Sequence, residues 1–386
     1  MSELKIIGSM EEALAFAREQ IQAHPDRDLG AAKEAALAGR RRRYPVININ
    51  SGDSSPLPEE FQLDPVIPDL QMPPSPAADL ARDVLNGLRP LHQGNPAGIG
   101  FGAGGRGTGT FATLFGIPLN PELNNAPAFT LSMDELLKAP HPDVPNAGLM
   151  PEMRARIELI RHHVPAGVPI GLPDIQGPFN VAHMLAGEEV FYGALTDPDT
   201  YHRFMDRVTG VWIEAVQTLL GWIGKEYENP SDRIPRLREC SVNLVSPEFY
   251  EEFILPYDLR VASVFPRLEV HPCTGRHVFE VTLKNLPVAQ IEAGWMEGVC
   301  ASFMPVEEAL VRIGERPVVL MVFEELPPGL DGAWTVVKRH LDLYADHPRM
   351  LYSYFTKPHK LNRAMIRELR QRAETYWAER YSHDMD

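Results

Sequence analysis

The sequence alternates short, continuous apolar runs with longer segments whose apolar residues recur at helical spacing. Eight such runs occur, at residues 44–53, 98–103, 168–173, 239–245, 267–273, 287–292, 317–323 and 350–355. Continuous apolar strands separated by amphipathic helices are typical of a parallel sheet that is covered by helices. Eight of them predict an α/β fold, namely an eight-stranded parallel β/α barrel of the TIM type.

A glycine-rich stretch at residues 100–109 follows the second run. In an open doubly wound sheet, which is the alternative fold, such a stretch would hold the phosphates of a nucleotide. The glycines continue past the spacing of that fingerprint, which favours a tight backbone turn over the barrel mouth. The residues of this stretch that we predict to contact a cofactor are Gly102, Gly104, Gly105 and Arg106.

The residues before the first run differ from the rest of the chain. Residues 10–40 have apolar positions at helical spacing, which predicts an N-terminal helical extension over residues 1–44 and a barrel domain over 45–386. Residues 54–76 contain seven prolines and little periodicity. A connection of that length is usually functional or disordered, so we expect it to form part of a lid or a docking surface.

Charge and composition exclude several classes of protein. The formal net charge of −15 argues against a nucleic-acid binder, which needs a basic face. The basic run Arg40–Arg43 is better explained as a solvated helix end. No apolar run approaches the roughly 20 residues that span a bilayer, and three cysteines form no disulfide framework in a chain of 386 residues. We therefore expect a cytoplasmic protein that acts on a small molecule, without membrane or nucleic-acid partners.

In a β/α barrel the chemistry lies at the carboxyl ends of the strands, because the loops that follow them converge there. Polar side chains end most of the runs, and they include Asp53, Asp174, Gln176, Asn243, Ser246, His271, Cys273, Glu292, Glu324, Glu325, Tyr354 and Lys357. Adjacent strand residues face opposite ways, so at most one of the two glutamates lines the mouth. We predict catalytic roles for Asp174, Gln176, Asn243 and Tyr354.

The pattern His271-Pro-Cys273, with Glu292 at the end of the next run, is the strongest sign of a metal site. Residues two apart on a strand point to the same side, and catalytic zinc sites use three protein ligands and leave one position open. The alternative is a hydrogen-bonded histidine beside a small buried cysteine. Cys300 either supplies a second sulfur or belongs to the core.

These residues lie in motifs that resemble the uroporphyrinogen decarboxylase superfamily, which includes zinc-dependent methyltransferases that act with corrinoid proteins. The resemblance covers roughly residues 95–375. It depends on Asp174-Ile-Gln-Gly-Pro-Phe179, Leu185-Ala-Gly-Glu-Glu189, Asp197-Pro198, Val245-Ser-Pro-Glu-Phe-Tyr250, Leu255-Pro-Tyr257 and His271-Pro-Cys-Thr-Gly275. The fold that it implies is a β/α barrel.

The resemblance implies two different chemistries. True uroporphyrinogen decarboxylases have an arginine-rich segment near the N-terminus, where this chain has residues 44–53 without equivalent arginines. The methyltransferase branch binds zinc through His-x-Cys, a Glu on the next strand and a late Cys. His271, Cys273 and Glu292 match the first three, and residues 350–355 contain no cysteine. Either Cys300 takes the place of that cysteine, or the site has three protein ligands, or the chain is a diverged member with other chemistry.

The leading hypothesis is therefore a zinc-dependent methyltransferase that moves a methyl group to or from a thiol or a corrinoid (cobalamin), carried by a partner protein. The second hypothesis is a cofactor-independent carboxy-lyase that acts on a tetrapyrrole or a related carboxylate, with mouth carboxylates and Arg106 stabilising the developing charge. The third is a barrel that binds a corrinoid or tetrapyrrole without turnover. A homodimer is left open.

Overall fold

The computed structural model describes residues 7–23, 35–42, 45, 47–51, 75–92, 101–123, 125–227, 235–271, 276–294, 304–357 and 359–381. The chain divides into two compact units. The first unit combines residues 1–101 with residues 292–386, and the second unit is the intervening segment 102–291.

Strands and helices alternate along most of the chain. The strands are β1 Ile47–Ser51, β2 Phe101–Gly102, β3 Leu119–Asn120, β4 Ala126–Pro127, β5 Ile170–Gly171, β6 Arg236–Arg238, β7 Leu268–His271, β8 Val288–Ala293, β9 Val319–Glu325 and β10 Met350–Thr356. The helices are α1 Met10–Ala23, α2 Pro76–His92, α3 Met133–Lys138, α4 Met150–His163, α5 Pro178–Ala186, α6 Glu189–Thr196, α7 Pro198–Ile223, α8 Leu255–Val264, α9 Arg276–Asn285, α10 Val306–Ile313, α11 Leu330–Leu343 and α12 Arg363–Tyr381.

The first unit contains a parallel sheet in the order β1-β10-β9. Its strands are rich in β-branched and aromatic residues, which pack well on a pleated surface. The ring of Tyr344, which directly follows α11, packs against Trp377 of α12, with centroids 4.2 Å apart. The Trp377 indole Nε1 donates to the backbone carbonyl of Arg42 at 3.2 Å, so the segment before β1 is fixed to this helical layer.

The second unit contains a parallel sheet in the order β6-β7-β8. It also contains the paired strands β2 and β5 and an antiparallel pair, β3 and β4. Its longest helix, α7, has 26 residues and begins at Pro198. The side chain of Asp197, the residue before it, caps this end by accepting a hydrogen bond from the Thr200 amide. The α7 side chain Trp212 is fully buried and donates from Nε1 to the Gln176 carbonyl at 2.7 Å, so α7 supports the loop after β5.

One helix of the second unit contains an irregular turn. The chain forms a short α-helical turn at Pro247–Phe249, a π-helical turn at Tyr250–Ile254 and then α8. A π-helical turn includes one more residue per hydrogen-bonded ring than an α-helix, and such turns are frequent at functional sites. Tyr250 opens this turn and is fully buried.

The α/β class and the parallel strands are confirmed, and seven of the eight predicted runs contain a strand. The run 239–245 is the exception, because its strand is β6, which ends at Arg238, and Cys240–Leu244 form a 3-10 helix. Because two of the three residues of β6 are arginines, this strand forms no apolar run in the sequence. Within the part of the chain that the structure describes, the strands are not seen to close into a barrel.

The structure describes part of the predicted N-terminal helical segment. The helix α1 spans Met10–Ala23, residues 35–37 are also helical, and residues 24–34 lie outside the described residues. The segment 54–74 and Asp53 lie outside the described residues, and the predicted domain boundary near residue 44 stays a prediction. None of the helices in the described ranges is both long enough and apolar enough to cross a membrane.

Candidate functional site

In the second unit, the segments that follow β5, β6 and β7 are joined by backbone hydrogen bonds. The Gly177 amide, at the end of the loop after β5, donates to the carbonyl of Arg238 at 3.0 Å. The Glu239 amide, directly after β6, donates to the carbonyl of His271 at 3.4 Å. These bonds bring three strand ends of one unit together, which is where parallel α/β proteins place their ligands.

A polar network starts at Asp174 in the loop after β5. Its Oδ1 forms an ion pair with the guanidinium of Arg238 and accepts a hydrogen bond from Nε2 of Gln176 at 3.2 Å. Oε1 of Gln176 in turn accepts from Nδ2 of Asn180 at 2.8 Å. Gln176 and Asn180 are buried, whereas the Asp174 side chain is 37% exposed. Asp174 is therefore the accessible carboxylate of this network, and Arg238 and Gln176 fix its orientation.

The same network continues from Asn180 into the segment after β6. Asn180 Oδ1 accepts from the Ser241 amide at 2.7 Å, and Ser241 Oγ lies 2.8 Å from Nδ1 of His183. Burial lowers the pKa of His183, although Glu188, 3.7 Å from Nε2, opposes the shift. His183 is therefore held toward its neutral form, in which one ring nitrogen can accept a proton.

Two buried carboxyl groups lie behind this network. Glu239 and Asp258 are almost fully buried, and Tyr250 donates from its hydroxyl to Oδ2 of Asp258 at 2.6 Å. Burial raises the pKa of Asp258 to about 7, and the Tyr250 hydrogen bond opposes that shift. Burial, and then the charges of Asp258 and Cys240, raise the pKa of Glu239 well above its usual range. A desolvated carboxyl group keeps its proton because burial disfavours the charged form.

The Glu239 carboxylate is packed against the start of α5. The amides of Phe179 and Asn180 face it and lower its pKa, although among the described residues neither of its oxygens accepts a hydrogen bond of regular geometry. A Cβ atom at Gly177 would lie 1.9 Å from Glu239 Oε1. Only glycine allows this approach, so Gly177 and Glu239 form a matched pair.

The structure brings two of the four predicted catalytic residues into direct contact. Asp174 and Gln176 are in direct contact. Asn243 lies in the 3-10 helix after β6, where its Nδ2 donates to the Cys240 carbonyl at 2.7 Å. Tyr354 belongs to the first unit, is fully buried and contacts Nδ1 of His340 at 3.0 Å. The catalytic roles of these residues stay predictions.

The glycine-rich stretch forms a turn before a 3-10 helix at Gly107–Phe115. Gly104 and Gly105 have positive φ values of 103° and 94°. A Cβ atom at Gly105 would lie 3.0 Å from the Cβ of Pro173, so this turn passes close to the loop after β5. The Gly102 carbonyl accepts from Nε of Arg156 at 2.8 Å, and the exposed guanidinium of Arg106 binds Glu152 at 3.0 Å. Contact of these residues with a cofactor stays a prediction.

The predicted metal ligands are only partly described. His271 closes β7 in the second unit and is half-buried, and Glu292 is a half-buried residue of β8 that belongs to the first unit. Cys273 and Cys300 lie outside the described residues. Among the residues that are described, no three of His, Cys, Asp and Glu are grouped so that they could hold a metal ion. The zinc ligand set therefore stays a prediction.

The sequence analysis missed most of the network. The missed residues are Asn180, His183, Arg238, Glu239, Ser241 and Asp258. Asn180 follows the motif of Asp174 directly, and Glu239 stood at the start of a run that was read as a strand. A charged residue at the edge of an apolar run was the available signal for Glu239. Asp258 gave none, because it occupies an ordinary position of an amphipathic helix.

Comparisons with known proteins identify the family. Residues 110–315 match the family model described as uroporphyrinogen decarboxylase (URO-D), which covers more than half of the chain. The chain belongs to the uroporphyrinogen decarboxylase family, and the resemblance seen in its motifs is confirmed.

A solved structure of a methyltransferase from Methanosarcina mazei is similar to this chain, with a TM-score of 0.58. The two share 13% sequence identity, and the alignment covers 96% of this chain and 99% of that chain. At this identity the similarity concerns the fold alone. A search of curated proteins found no match.

Proposed function

We propose that the chain is a zinc-dependent methyltransferase of the uroporphyrinogen decarboxylase family, which moves a methyl group to or from a thiol or a corrinoid on a partner protein. The observation that carries the proposal is the position of His271 at the carboxyl end of β7, in the sequence His-Pro-Cys, joined through its carbonyl to the polar network after β6. The shared fold with a protein named as a methyltransferase supports it.

The donor set fits zinc in its chemistry. An imidazole from His271, a thiolate from Cys273 and a carboxylate from Glu292 are the three ligand types that zinc accepts, and Cys300 is the candidate for a fourth. His271 and Glu292 are both half-buried, so each side chain is partly accessible to an ion. Zinc, when bound, stabilises a thiolate near neutral pH, which makes a thiol nucleophilic.

The residues of the network would bind and orient the substrate. Asp174 offers a carboxylate that Arg238 and Gln176 hold in one orientation, and its exposure leaves it accessible to a ligand. His183, held toward its neutral form, would accept a proton through Ser241. Because the Asp174 side chain is 37% exposed, a change in Asp174 should alter substrate binding more than stability.

Metal analysis of the purified protein tests the proposal. We expect elemental analysis by mass spectrometry to find about one zinc per chain. We expect the variants Cys273→Ala and His271→Ala to lose most of that zinc. The matched control is Cys240→Ala, which removes a described cysteine outside the proposed ligand set and should keep the zinc. Protein without zinc, or a Cys240 variant that loses it equally, would contradict the proposal.

A methyl-transfer assay tests the reaction itself. Methylcobalamin and a set of thiols serve as probes, and the change in corrinoid absorbance reports transfer. We expect transfer in the zinc-loaded protein, and a fall of at least about tenfold in Asp174→Asn if this carboxylate orients the substrate. Transfer that is unaffected by chelators and by Cys273→Ala would remove zinc from the reaction.

The ion pair between Arg238 and Asp174 favours a second candidate, a carboxy-lyase. An arginine can bind a substrate carboxylate in two-pronged geometry, and Arg238 lies at the strand end where a ligand would sit. Arg106, the cation that the sequence suggested for this role, is instead exposed and bound to Glu152. Release of carbon dioxide from a carboxylated pyrrole, insensitive to chelators and lost in Arg238→Gln, would support this candidate over methyl transfer.

A further inference from the structure

The two faces of the first unit's sheet carry different chemistry. In the parallel strands, Glu324 pairs with Tyr354 and Glu325 pairs with Phe355. Successive residues of a strand face opposite sides, and paired residues face the same side. Glu324 and Tyr354 therefore share one face of the sheet, whereas Glu325, Phe355 and Phe323 share the other.

The face with Tyr354 is covered by helix α11. The imidazole of His340 on that helix is fully buried, and it lies between the Tyr354 hydroxyl at 3.0 Å and Glu324 Oε2 at 3.2 Å. Arg339 of the same helix also reaches Glu324 at 3.3 Å. This face is part of the packed interior between strand and helix, so it has no room for a ligand.

The opposite face ends in an ion pair and two aromatic rings. Lys360 Nζ lies 2.6 Å from Glu325 Oε1, where the side chains are 16% and 4% exposed respectively. The rings of Phe323 and Phe355 are half-buried, with centroids 4.2 Å apart. Phe355 stands directly beside Glu325 in the register, so the ion pair and the aromatic pair are adjacent.

The backbone fixes Lys360 at this place. The loops after β9 and β10 are joined because the Leu326 amide donates to the Phe355 carbonyl at 2.7 Å and the Gly329 amide donates to the Lys360 carbonyl at 3.0 Å. Lys360 is thus held at the carboxyl ends of two parallel strands. Ligands of α/β proteins bind at such ends.

At this place the ammonium is the more accessible of the two charged groups, so an entering ligand meets a cation first. The loop that carries Lys360 also contains Lys357 and His359, both exposed. An ammonium has three N–H donors and can bind more than one acceptor at a time. A buried ion pair adds little net stability by itself, so its location at a strand end calls for another role.

We propose that Lys360, oriented by Glu325, and the ring pair Phe323–Phe355 form a binding site for a planar aromatic carboxylate. The carboxylate binds the ammonium, and the aromatic ring packs against the two phenylalanine rings. This names a substrate class for the proposed methyltransferase, and it depends on the proposed function only in treating the bound molecule as a substrate.

Binding measurements with three small probes test the site. Benzoate has the ring and the charge, benzamide has the ring without the charge, and cyclohexanecarboxylate has the charge without the planar ring. Saturation-transfer NMR titrations of the full chain give a Kd for each. We expect benzoate to bind about tenfold more tightly than benzamide, because a charge-assisted hydrogen bond is lost. Benzoate should also bind severalfold more tightly than cyclohexanecarboxylate.

Two variants separate the contributions. The double variant Glu325→Gln, Lys360→Met removes both charges without leaving one buried, and it should abolish the preference for benzoate over benzamide. Phe355→Leu keeps the charges and should abolish the preference for benzoate over cyclohexanecarboxylate. The matched control is Lys338→Met, which breaks the more exposed ion pair with Asp342 on α11 and should preserve both preferences.

The outcomes distinguish this proposal from the proposed function. The proposed site is overturned if both binding preferences survive in the double variant and in Phe355→Leu. It is also overturned if they vanish equally in Lys338→Met. The probes need neither zinc nor turnover, so failure of methyl transfer with intact probe preferences would overturn the methyltransferase and keep the site. A folded double variant is confirmed by its thermal unfolding, and if it does not fold, Phe355→Leu alone decides.

Discussion

The two units bury carboxyl groups at the ends of their strands in different ways. In the second unit, burial raises the pKa of Asp258 to about 7 and that of Glu239 well above its usual range, and no cation of the described residues is paired with either carboxyl group. In the first unit, Glu325 is equally buried but has the Lys360 ammonium at 2.6 Å. The second unit thus accommodates its buried carboxyl groups by keeping them protonated, whereas the first unit accommodates its buried carboxylate by pairing it with a cation.

This difference determines whether the stability of each unit depends more on pH or on a single side chain. A carboxyl group that keeps its proton makes stability depend on pH, since the unfolded state releases that proton more readily. An ion pair makes stability depend on both partners being present, since either one alone is a buried charge. The first unit should therefore be sensitive to the loss of one side chain, and the second unit to pH.

The largest effect is expected for Lys360→Met. It removes the Lys360 ammonium from the buried Glu325 carboxylate, which should lower the free energy of unfolding by about 3–5 kcal/mol in urea titrations. The matched control Lys338→Met breaks a more exposed pair with Asp342 and should cost less than about 1 kcal/mol. Equal losses in the two variants would contradict the idea that burial makes the first pair essential.

The second effect concerns pH. The folded pKa of Asp258 lies above its unfolded value of 3.8, so its contribution to stability is complete below that value and is lost as pH rises to about 7. Asp258→Asn mimics the protonated form at every pH. Across this pH window its free energy of unfolding should change by on the order of 2–4 kcal/mol less than that of the natural chain. Urea titrations at a series of pH values measure it.

Tyr250→Phe provides the matched comparison for Asp258. It keeps the carboxyl group but removes the hydrogen bond that lowers its pKa, so the loss of stability should extend to higher pH than in the natural chain. If the natural chain and Asp258→Asn depend on pH to the same extent, the proton retained on Asp258 is not the source of the pH dependence.

The smallest of the three effects is expected for Gly177→Ala. The new methyl group would meet Glu239 Oε1, and overpacking against a fixed carboxylate should cost about 1–3 kcal/mol in thermal or urea unfolding. Gly221→Ala is the control, because Gly221 lies in α7 with open space around it and should gain about 0.5–1 kcal/mol. A neutral Gly177→Ala would mean that Glu239 can move away from α5.

The long elements were predictable because their periodicity is strong. Residues 199–224 have apolar positions at helical spacing, and α7 spans Pro198–Ile223 behind the cap Asp197. The strands β9 and β10 are continuous apolar runs, and both appear where they were expected. The strand β6 was missed because Arg236 and Arg238 flank a single leucine, and a charged three-residue strand leaves no apolar run to recognise.

The site was predictable only where its residues are close in sequence. Asp174 and Gln176 are two residues apart, and they meet as expected. Asp258 and Glu239 are brought together by packing between distant segments, which no local pattern encodes. For Glu324 and Glu325 the sequence established that they face opposite sides, but only the position of His340 on α11 shows which one the helix covers.

The π-helical turn at Tyr250–Ile254 makes the length of one segment a structural requirement. Each residue of an α-helix advances the chain by about 100° around the axis. In a regular α-helix, residues eight apart lie about 80° away from one another around the axis. The wider π-helical turn takes up the extra residue and returns Asp258, eight residues after Tyr250, to the face of the Tyr250 hydroxyl. A regular α-helical turn with the same number of residues would rotate the buried acid away from its phenol, so the length of this segment is matched to its irregular turn.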